Sequence, residues 1–171
     1  IISIDKTVTE SWIEFMQMHN LVRDGKPQTW LPAGSLLSTE RKIAGISGNK
    51  ITIDVPLSDS YDHSVLKQKV VVRKIEKPNR ISNSGIEKLH IISPLQPVSH
   101  EQRHFTALRI YGEDCWARDI LIEETMNSVA VGGKRITVQN VTVQRKALHQ
   151  GSSRPAEFAP NGGQVLIDRC K

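Results

Sequence analysis

One spacing of apolar residues recurs through the second half of the chain and constrains the fold more than any other feature. An apolar residue is followed three and five positions later by two more, and this unit starts at Ile86, Ala117 and Val138, while its first two positions recur at Ile167 and Cys170. The intervals between these starts are 31, 21 and 29 residues. A constant unit separated by segments of variable length is typical of repeat proteins with a regular core and variable loops.

The residues of the repeat are mostly β-branched and alternate with polar residues, which indicates strands rather than helical turns. Stacked repeats would align two columns of interior side chains: Leu89, Ile120, Val141 and Cys170 in one, and Ile91, Ile122 and Val143 in the other. The sequence therefore predicts an all-β fold, a right-handed parallel β-helix, over residues 61–171.

The first 60 residues carry different patterns and are predicted to form a small N-terminal insert packed on the solenoid. A capping box at 7–10 and apolar residues at helical spacing predict a short helix over 10–19. Residues 36–57 predict an antiparallel β-hairpin that turns at 47–50. A polar turn at 58–63 and a strand at 70–72 then lead into the repeats.

The chain ends at Lys171, inside the fourth repeat. A solenoid needs capped ends, because an open last coil exposes unpaired strand edges. We therefore expect a β-helix that is truncated at its C-terminus. Its expected partners at the open end are the rest of a longer chain or another copy stacked there.

Two segments in the middle repeats, 112–120 (GEDCWARDI) and 127–133 (NSVAVGG), carry a family resemblance. With the repeat spacing around them, they resemble the pectate-lyase-like right-handed parallel β-helix family, over about half of the chain. The resemblance implies a secreted or periplasmic protein that acts on polysaccharides as a lyase or a hydrolase, or that only binds them. No catalytic motif of the family can be matched residue by residue.

The charge balance favours an acidic partner. Lys and Arg number 23 against 18 Asp and Glu, which gives a formal net charge of +5. An excess of this sign suits an acidic polysaccharide. Aromatic residues make up 5% of the chain and do not alternate with basic ones as in single-strand binders, so we expect no nucleic acid. No apolar run is long enough to span a membrane.

Two long polar segments, 93–104 and 144–157, each follow a repeat directly, and a short link at 123–126 lies between them. Equal positions in successive coils would place both segments on one side, about 10 Å apart, around a shallow groove. Candidate catalytic residues there share a side chain that can transfer protons: His100, Glu101, His104, Glu123, Glu124 and His149. Candidate substrate-binding residues share a cationic side chain: Arg103, Arg145, Lys146 and Arg154.

The groove residues leave the reaction open. A lyase would use a cationic or imidazole base to remove the proton beside a substrate carboxylate that arginine binds. A hydrolase would use two carboxylates at a defined separation. The alternative is a non-catalytic module that binds glycan or a partner surface. The sequence thus predicts a carbohydrate-active protein and does not choose between enzyme and binding module.

Residues 100–104 (HEQRH) match the metalloprotease zinc motif. That motif binds zinc on a helix, whereas prolines precede this segment and a predicted strand follows it. We therefore expect no metal site and no cofactor, with calcium the one ion left open.

Three smaller interpretations concern turns and cysteines. Asp119 and Asn140 share one position of the repeat and predict a ladder of polar turn residues. Trp116 is interpreted as filling space at a turn rather than stacking on a sugar. Cys115 and Cys170 would lie two coils apart, too far for a disulfide, with Cys170 buried.

Overall fold

The structure is a computed structural model that describes residues 1–28, 30–76, 79–95, 105–146 and 157–171. The chain divides into two compact units, Ile1–Pro78 and Asn79–Lys171, which we call unit 1 and unit 2. The division falls at 78/79 rather than near residue 60. A strand that starts at Val71 pairs with the first strand of the chain. Because of this pairing, the residues from 61 to 78 belong to unit 1.

The helices and strands of both units follow in chain order. Unit 1 contains β1 (Ile2–Thr7), α1 (Glu10–Phe15), β2 (Val22–Arg23), β3 (Lys26–Pro27), β4 (Leu36–Arg41), β5 (Ile43–Ser47), β6 (Lys50–Ile53), α2 (His63–Leu66) and β7 (Val71–Lys74). Unit 2 contains β8 (Gly85–Ile92), β9 (Leu108–Glu113), β10 (Trp116–Glu123), β11 (Val129–Gln144) and β12 (Phe158–Asp168).

Unit 1 is built around β1, which pairs antiparallel with β4 on one side and β7 on the other. The predicted hairpin is present as β5 and β6, which turn between Ser47 and Lys50. The predicted helix forms but ends at Phe15. Its N-cap is Thr9, whose hydroxyl accepts a hydrogen bond from the Trp12 N–H at 3.2 Å, so the capping box at 7–10 was wrong.

A lysine is buried inside unit 1. Lys6 is 1% exposed, and its Nζ donates to the Ser60 carbonyl at 2.9 Å and pairs with the Asp59 carboxylate. The same Nζ lies 4.6 Å from the ring centre of Trp12 and 5.0 Å from that of Tyr61. The ammonium group is therefore compensated by a carboxylate, a carbonyl and two aromatic faces, which a buried charge requires.

Stability of unit 1 should fall as pH drops from about 4 to about 2. A hydrogen bond from Arg73, aided by Ser3 and Ser38 and opposed by burial, lowers the pKa of Asp5 from 3.8 to about 2. Because the folded pKa lies below the unfolded one, this stabilisation is present above the unfolded pKa and is lost as pH falls through the folded value. Asp5→Asn should abolish this pH-dependent part of the unfolding free energy, which urea titrations at a series of pH values over this range would measure.

The matched control for this prediction is Asp24→Asn. The Asp24 side chain is 89% exposed and its carboxylate lies 3.7 Å from Arg23 Nε, so Asp24→Asn removes a carboxylate from the same unit without removing a buried contact. Equal pH profiles for the wild type and the Asp5→Asn variant would contradict the prediction.

Unit 2 is a parallel sheet in which β12, β11, β10 and β8 are neighbours in that order, and β9 also pairs with β11. β9 and β10 both pair with β11 because β11 is 16 residues long and continues through a bend that separates the two shorter strands. The four strands of the main path form a curled half-barrel.

The prediction of a right-handed parallel β-helix is wrong. The chain forms several small sheets, three of them antiparallel and in unit 1, and the parallel sheet of unit 2 is a half-barrel that does not continue into solenoid coils among the described residues. The physical reason is that the apolar spacing specifies which strands lie side by side. It contains no information on whether the intervening segments close each turn.

The pairing of the repeats, by contrast, follows the predicted columns. Ile120 lies between Leu89 and Val141, and Ile122 lies between Ile91 and Val143. Within these columns Ile120, Ile122 and Val141 are buried, and they form the core of unit 2 with further apolar side chains. A register shift of one residue would turn these side chains outward, so burial specifies the register.

The cysteine prediction is wrong in one respect. Both cysteines are free, but Cys115 is the buried one and Cys170 is half-buried. Cys170 follows β12, the last strand of the sheet, so the strands cover it on one side only.

Two rows of residues with positive φ cross the sheet and bend it. One row contains Asn83, Asp114, Arg135 and Gln164, and the other contains Lys88, Asp119, Asn140 and Arg169, with φ between 49° and 61° in both rows. The two rows are five residues apart in each repeat. Single left-handed residues bend a strand locally, so two aligned rows curl the sheet as a whole. The predicted polar ladder is present in the second row, where Asn140 Nδ2 donates to Asp119 Oδ1 at 2.7 Å.

Glycine is required where three strands approach closely. Gly133 pairs with Gly112 on one side and with Gly162 on the other, and its φ is +99°. A Cβ on Gly133 would lie 2.1 Å from the Gly112 carbonyl oxygen, and one on Gly162 would lie 2.5 Å from the Gly133 oxygen. These glycines are therefore a packing requirement of the sheet and not only turn residues.

Candidate functional site

The carboxyl ends of three neighbouring strands bring part of the predicted groove together. Glu123, the last residue of β10, lies between Ile92 of β8 and Gln144 of β11. The residues that follow these strand ends therefore leave the sheet at the same edge. We call the described residues at this edge, 90–93, 123–128, 143–146 and 157, the strand-end site.

Glu123 is paired with a histidine that the sequence did not single out. His90 Nε2 lies 2.9 Å from Glu123 Oε1, and the two side chains are 46% and 25% exposed. Glu123 accepts a hydrogen bond from the imidazole when that nitrogen carries a proton. The pair lies on the outer face of the sheet, because His90 is next to the inward-facing positions Leu89 and Ile91.

Glu124 connects the ends of β10 and β11. Its backbone N–H donates to the Gln144 carbonyl at 3.0 Å, and its carboxylate accepts the Lys146 N–H at 2.8 Å. The φ of Glu124 is 57°, so the chain turns at this residue. Two of the predicted groove residues, Glu124 and Lys146, are thus in direct contact.

Arg145 takes part in a largely buried polar network. Its guanidinium pairs with Glu157, which also accepts a hydrogen bond from Ser128 Oγ at 2.7 Å. Ser128 is fully buried and accepts a further bond from Thr125 Oγ1 at 2.7 Å. Burial lowers the pKa of Arg145 below its ordinary value, and the nearby Glu124 opposes this effect. An arginine so placed stays cationic and organises this edge of the sheet.

Glu157, Ser128 and Thr125 were missed by the sequence analysis. The repeat register contained the signal, because Glu157 and Ser128 directly precede strands that lie side by side, and Val129 N–H donates to the Glu157 carbonyl at 2.8 Å. Aligning the residues before each strand would have placed the carboxylate beside the hydroxyl.

A second polar cluster lies on the outer face of β8 and β10. Glu87 Oε1 accepts hydrogen bonds from Trp116 Nε1 at 2.7 Å and from Arg118 at 2.6 Å, which lowers the pKa of Glu87. Gly85 lies against the Trp116 ring, since a Cβ there would be 2.2 Å from it, and Arg118 lies 5.7 Å from the ring centre. The ring therefore fills space over a glycine, which supports the interpretation of Trp116 and leaves little face for a sugar.

Every side-chain carboxylate described in unit 2 has a partner within the protein. Besides Glu87, Glu123, Glu124 and Glu157, these are Glu113 and Asp114 with Arg135, Asp119 with Asn140, and Asp168 with Gln139 and Arg169. Among the described residues, the geometry does not leave two of them free to act as an acid and a base.

The other six predicted site residues lie outside the residues that the structure describes: His100, Glu101, Arg103, His104, His149 and Arg154. Of the four within it, Glu123, Glu124, Arg145 and Lys146 all lie at the strand-end site. The predicted groove residues that the structure describes therefore lie together at one edge of the sheet.

The described residues contain neither a cluster of metal ligands nor a candidate membrane-spanning helix. They contain no group of three or more His, Cys, Asp or Glu side chains that could hold a metal ion, and the histidine motif at 100–104 lies outside them. No described helix has the length and apolar character needed to cross a membrane.

Comparison with protein-family models, with curated proteins and with solved structures found no match to this chain. What the fold and the site define is a class: a β protein of two units whose second unit is a curled parallel sheet with a polar, partly cationic strand-end site.

Proposed function

We propose that this protein binds an acidic polysaccharide at the strand-end site and does not cleave it there. The proposal rests on a difference between the described acidic and basic side chains of unit 2: the acidic ones have partners within the protein, and several basic ones do not. The described carboxylates all have protein partners. Among the described residues of unit 2, four cationic side chains have neither an ion pair nor a hydrogen bond: Lys88, Arg109, Lys146 and Lys171.

Two of these four cations lie near the strand-end site. Lys146 is the second residue after β11. Lys171 lies beside the end of the same strand, because its N–H donates to the Val141 carbonyl and its carbonyl accepts the Val143 N–H at 2.7 Å. Their ammonium groups are exposed and available to the carboxylates of a ligand, while the partly buried Arg145 is paired with Glu157. Exposed point charges of this kind favour a polyanion with repeated carboxylates over a small neutral ligand.

The proposal extends to the cellular location and to ions. Acidic polysaccharides occur mainly outside the cytoplasm, so we propose a secreted or periplasmic protein. Lysine and arginine supply the charge that binding needs, so no metal is required. Assays with added calcium and with a chelator test the one ion that the sequence left open.

Binding should weaken when the two lysines lose their charge. Lys146→Gln with Lys171→Gln removes two exposed contacts of about 0.2–1 kcal/mol each, so the dissociation constant for polygalacturonate should rise about 2- to 30-fold. Binding should also weaken as salt increases, because the screening length shortens. Isothermal titration or retention on the immobilised glycan measures both effects.

Lys42→Gln with Lys50→Gln is the matched control, since it removes the same charge from two exposed lysines of unit 1. An equal loss of binding in both double variants would show that net charge alone, and not this site, binds the glycan. A neutral polysaccharide should not bind. Unsaturated or reducing products in the same mixtures would show that the protein is an enzyme and would contradict the non-catalytic part of the proposal.

A further inference from the structure

Neither end of the parallel sheet in unit 2 has a further strand partner among the residues that the structure describes. Within the described residues, β8 pairs only with β10, and β12 pairs only with β11. Each outer edge therefore presents backbone N–H and C=O groups without a strand partner there. Such an edge is a template for another strand of matching shape.

The β8 edge also exposes interior side chains. Ile86 and Leu89 are 40% and 44% exposed, whereas Ala117 and Ile120, which occupy the same positions in the next strand, are 0% and 2% exposed. The apolar column of the core thus continues to the surface at β8. A strand that covers this edge would bury it.

The β12 edge carries the next members of the same columns. Ile167 of β12 pairs with Val138, which pairs with Ala117, which pairs with Ile86, so Ile167 and Ile86 are equivalent positions at opposite ends of the sheet. Leu166 is likewise equivalent to Gly85, through Thr137 and Trp116. Leu166 is 55% exposed, and the space over Gly85 is filled by the Trp116 ring, against which Leu166 of a second copy would pack.

The bends of the two edges match as well. Gln164 and Arg169 have φ of 61° and 49°, and their equivalents before and within β8, Asn83 and Lys88, have φ of 51° and 54°. A straight strand could not follow an edge that bends twice within five residues. The strand at the opposite end of the same sheet bends at the same two places.

We propose that the occupant of the β8 edge is a second copy of this chain, which adds its β12 edge in parallel and in register with the repeat. Such a contact is head-to-tail, because different surfaces of the two copies meet, and each copy keeps one open edge. Association therefore extends beyond a dimer as concentration rises. In register, Lys88 of one copy lies opposite Arg169 of the next, and this like-charge pair weakens the contact.

The first test is the mass of the full chain in solution, measured by light scattering or sedimentation over a wide concentration range. The wild type is expected to gain mass with concentration. Leu89→Lys places a charge in the exposed column and should keep the protein monomeric. Ile46→Lys, which adds the same charge to an exposed apolar position of unit 1, should leave association unchanged. A wild type that stays monomeric throughout would overturn the proposal.

The second test checks the register with exposed residues only. Arg169→Glu should place a carboxylate opposite Lys88 and tighten association about 2- to 10-fold. Combining it with Lys88→Glu restores a like-charge pair and should remove the gain. A two-fold contact between two β8 edges would also be lost in Leu89→Lys but would not respond to Arg169→Glu, and that outcome would overturn the head-to-tail arrangement.

Discussion

Gly133→Ala is expected to lower the free energy of unfolding of unit 2 by about 2–6 kcal/mol. Two costs combine at this position. A non-glycine residue at φ +99° stores about 1–3 kcal/mol of strain. The added Cβ would also lie 2.1 Å from the Gly112 carbonyl oxygen, so two paired backbones would have to separate, at a further cost of about 1–3 kcal/mol. Urea titration followed by circular dichroism measures the change.

Gly34→Ala separates these two costs. Gly34 has a similar φ of +88°, but an added Cβ would find no atom within 4 Å. It should therefore cost only the conformational strain, in unit 1. If Gly133→Ala is no more destabilising than Gly34→Ala, the close approach of the glycine strands is not a stability requirement. If Gly133→Ala does not fold at all, we expect it to be absent from the soluble fraction while Gly34→Ala remains soluble.

Ile122→Ala should cost about 2–5 kcal/mol of unfolding free energy in unit 2. The side chain is 0% exposed and lies between Ile91 and Val143, in the middle of an interior column. Truncation leaves a cavity, and the neighbouring strands β8 and β11 cannot fill it without a shift of their register. The same denaturant titration measures this loss, with the slope of the transition as a check that the unfolding reaction is unchanged.

Ile92→Ala is the control for this column. Ile92 lies in the neighbouring strand and is 66% exposed, so its truncation should cost less than about 1 kcal/mol. Similar losses for the two variants would mean that the interior of unit 2 is not where the structure places it. That result would also contradict the assignment of the apolar repeat to the core.

The candidate site could be predicted in part, and the reason lies in the repeat. Glu123, Glu124, Arg145 and Lys146 were expected together because they follow equivalent strands, and the strand ends do meet at one edge. The partners of these residues could not be predicted in the same way. Whether Glu157 pairs with Arg145 and Ser128 depends on side-chain positions that the apolar spacing does not specify.

That limit matters for the proposed function. On the sequence alone, three glutamates in one groove allowed a pair of catalytic carboxylates as readily as a binding surface. The structure gives every described carboxylate of unit 2 a donor, and this leaves lysines rather than acids available to a ligand. Our proposal of binding rather than catalysis therefore rests on hydrogen bonds that only the folded chain forms.

The sequence by itself determined which strands of unit 2 are neighbours, in which register, and which side chains face inward. It did so because a shift of one residue would expose the whole apolar column. Only the tertiary structure decided that the sheet curls into a half-barrel and does not continue as a β-helix. Curvature arises at two rows of residues with positive φ. Half of them are Asn or Asp, which favour this conformation, but Lys88, Arg135, Gln164 and Arg169 have no side-chain signature that reveals it in advance.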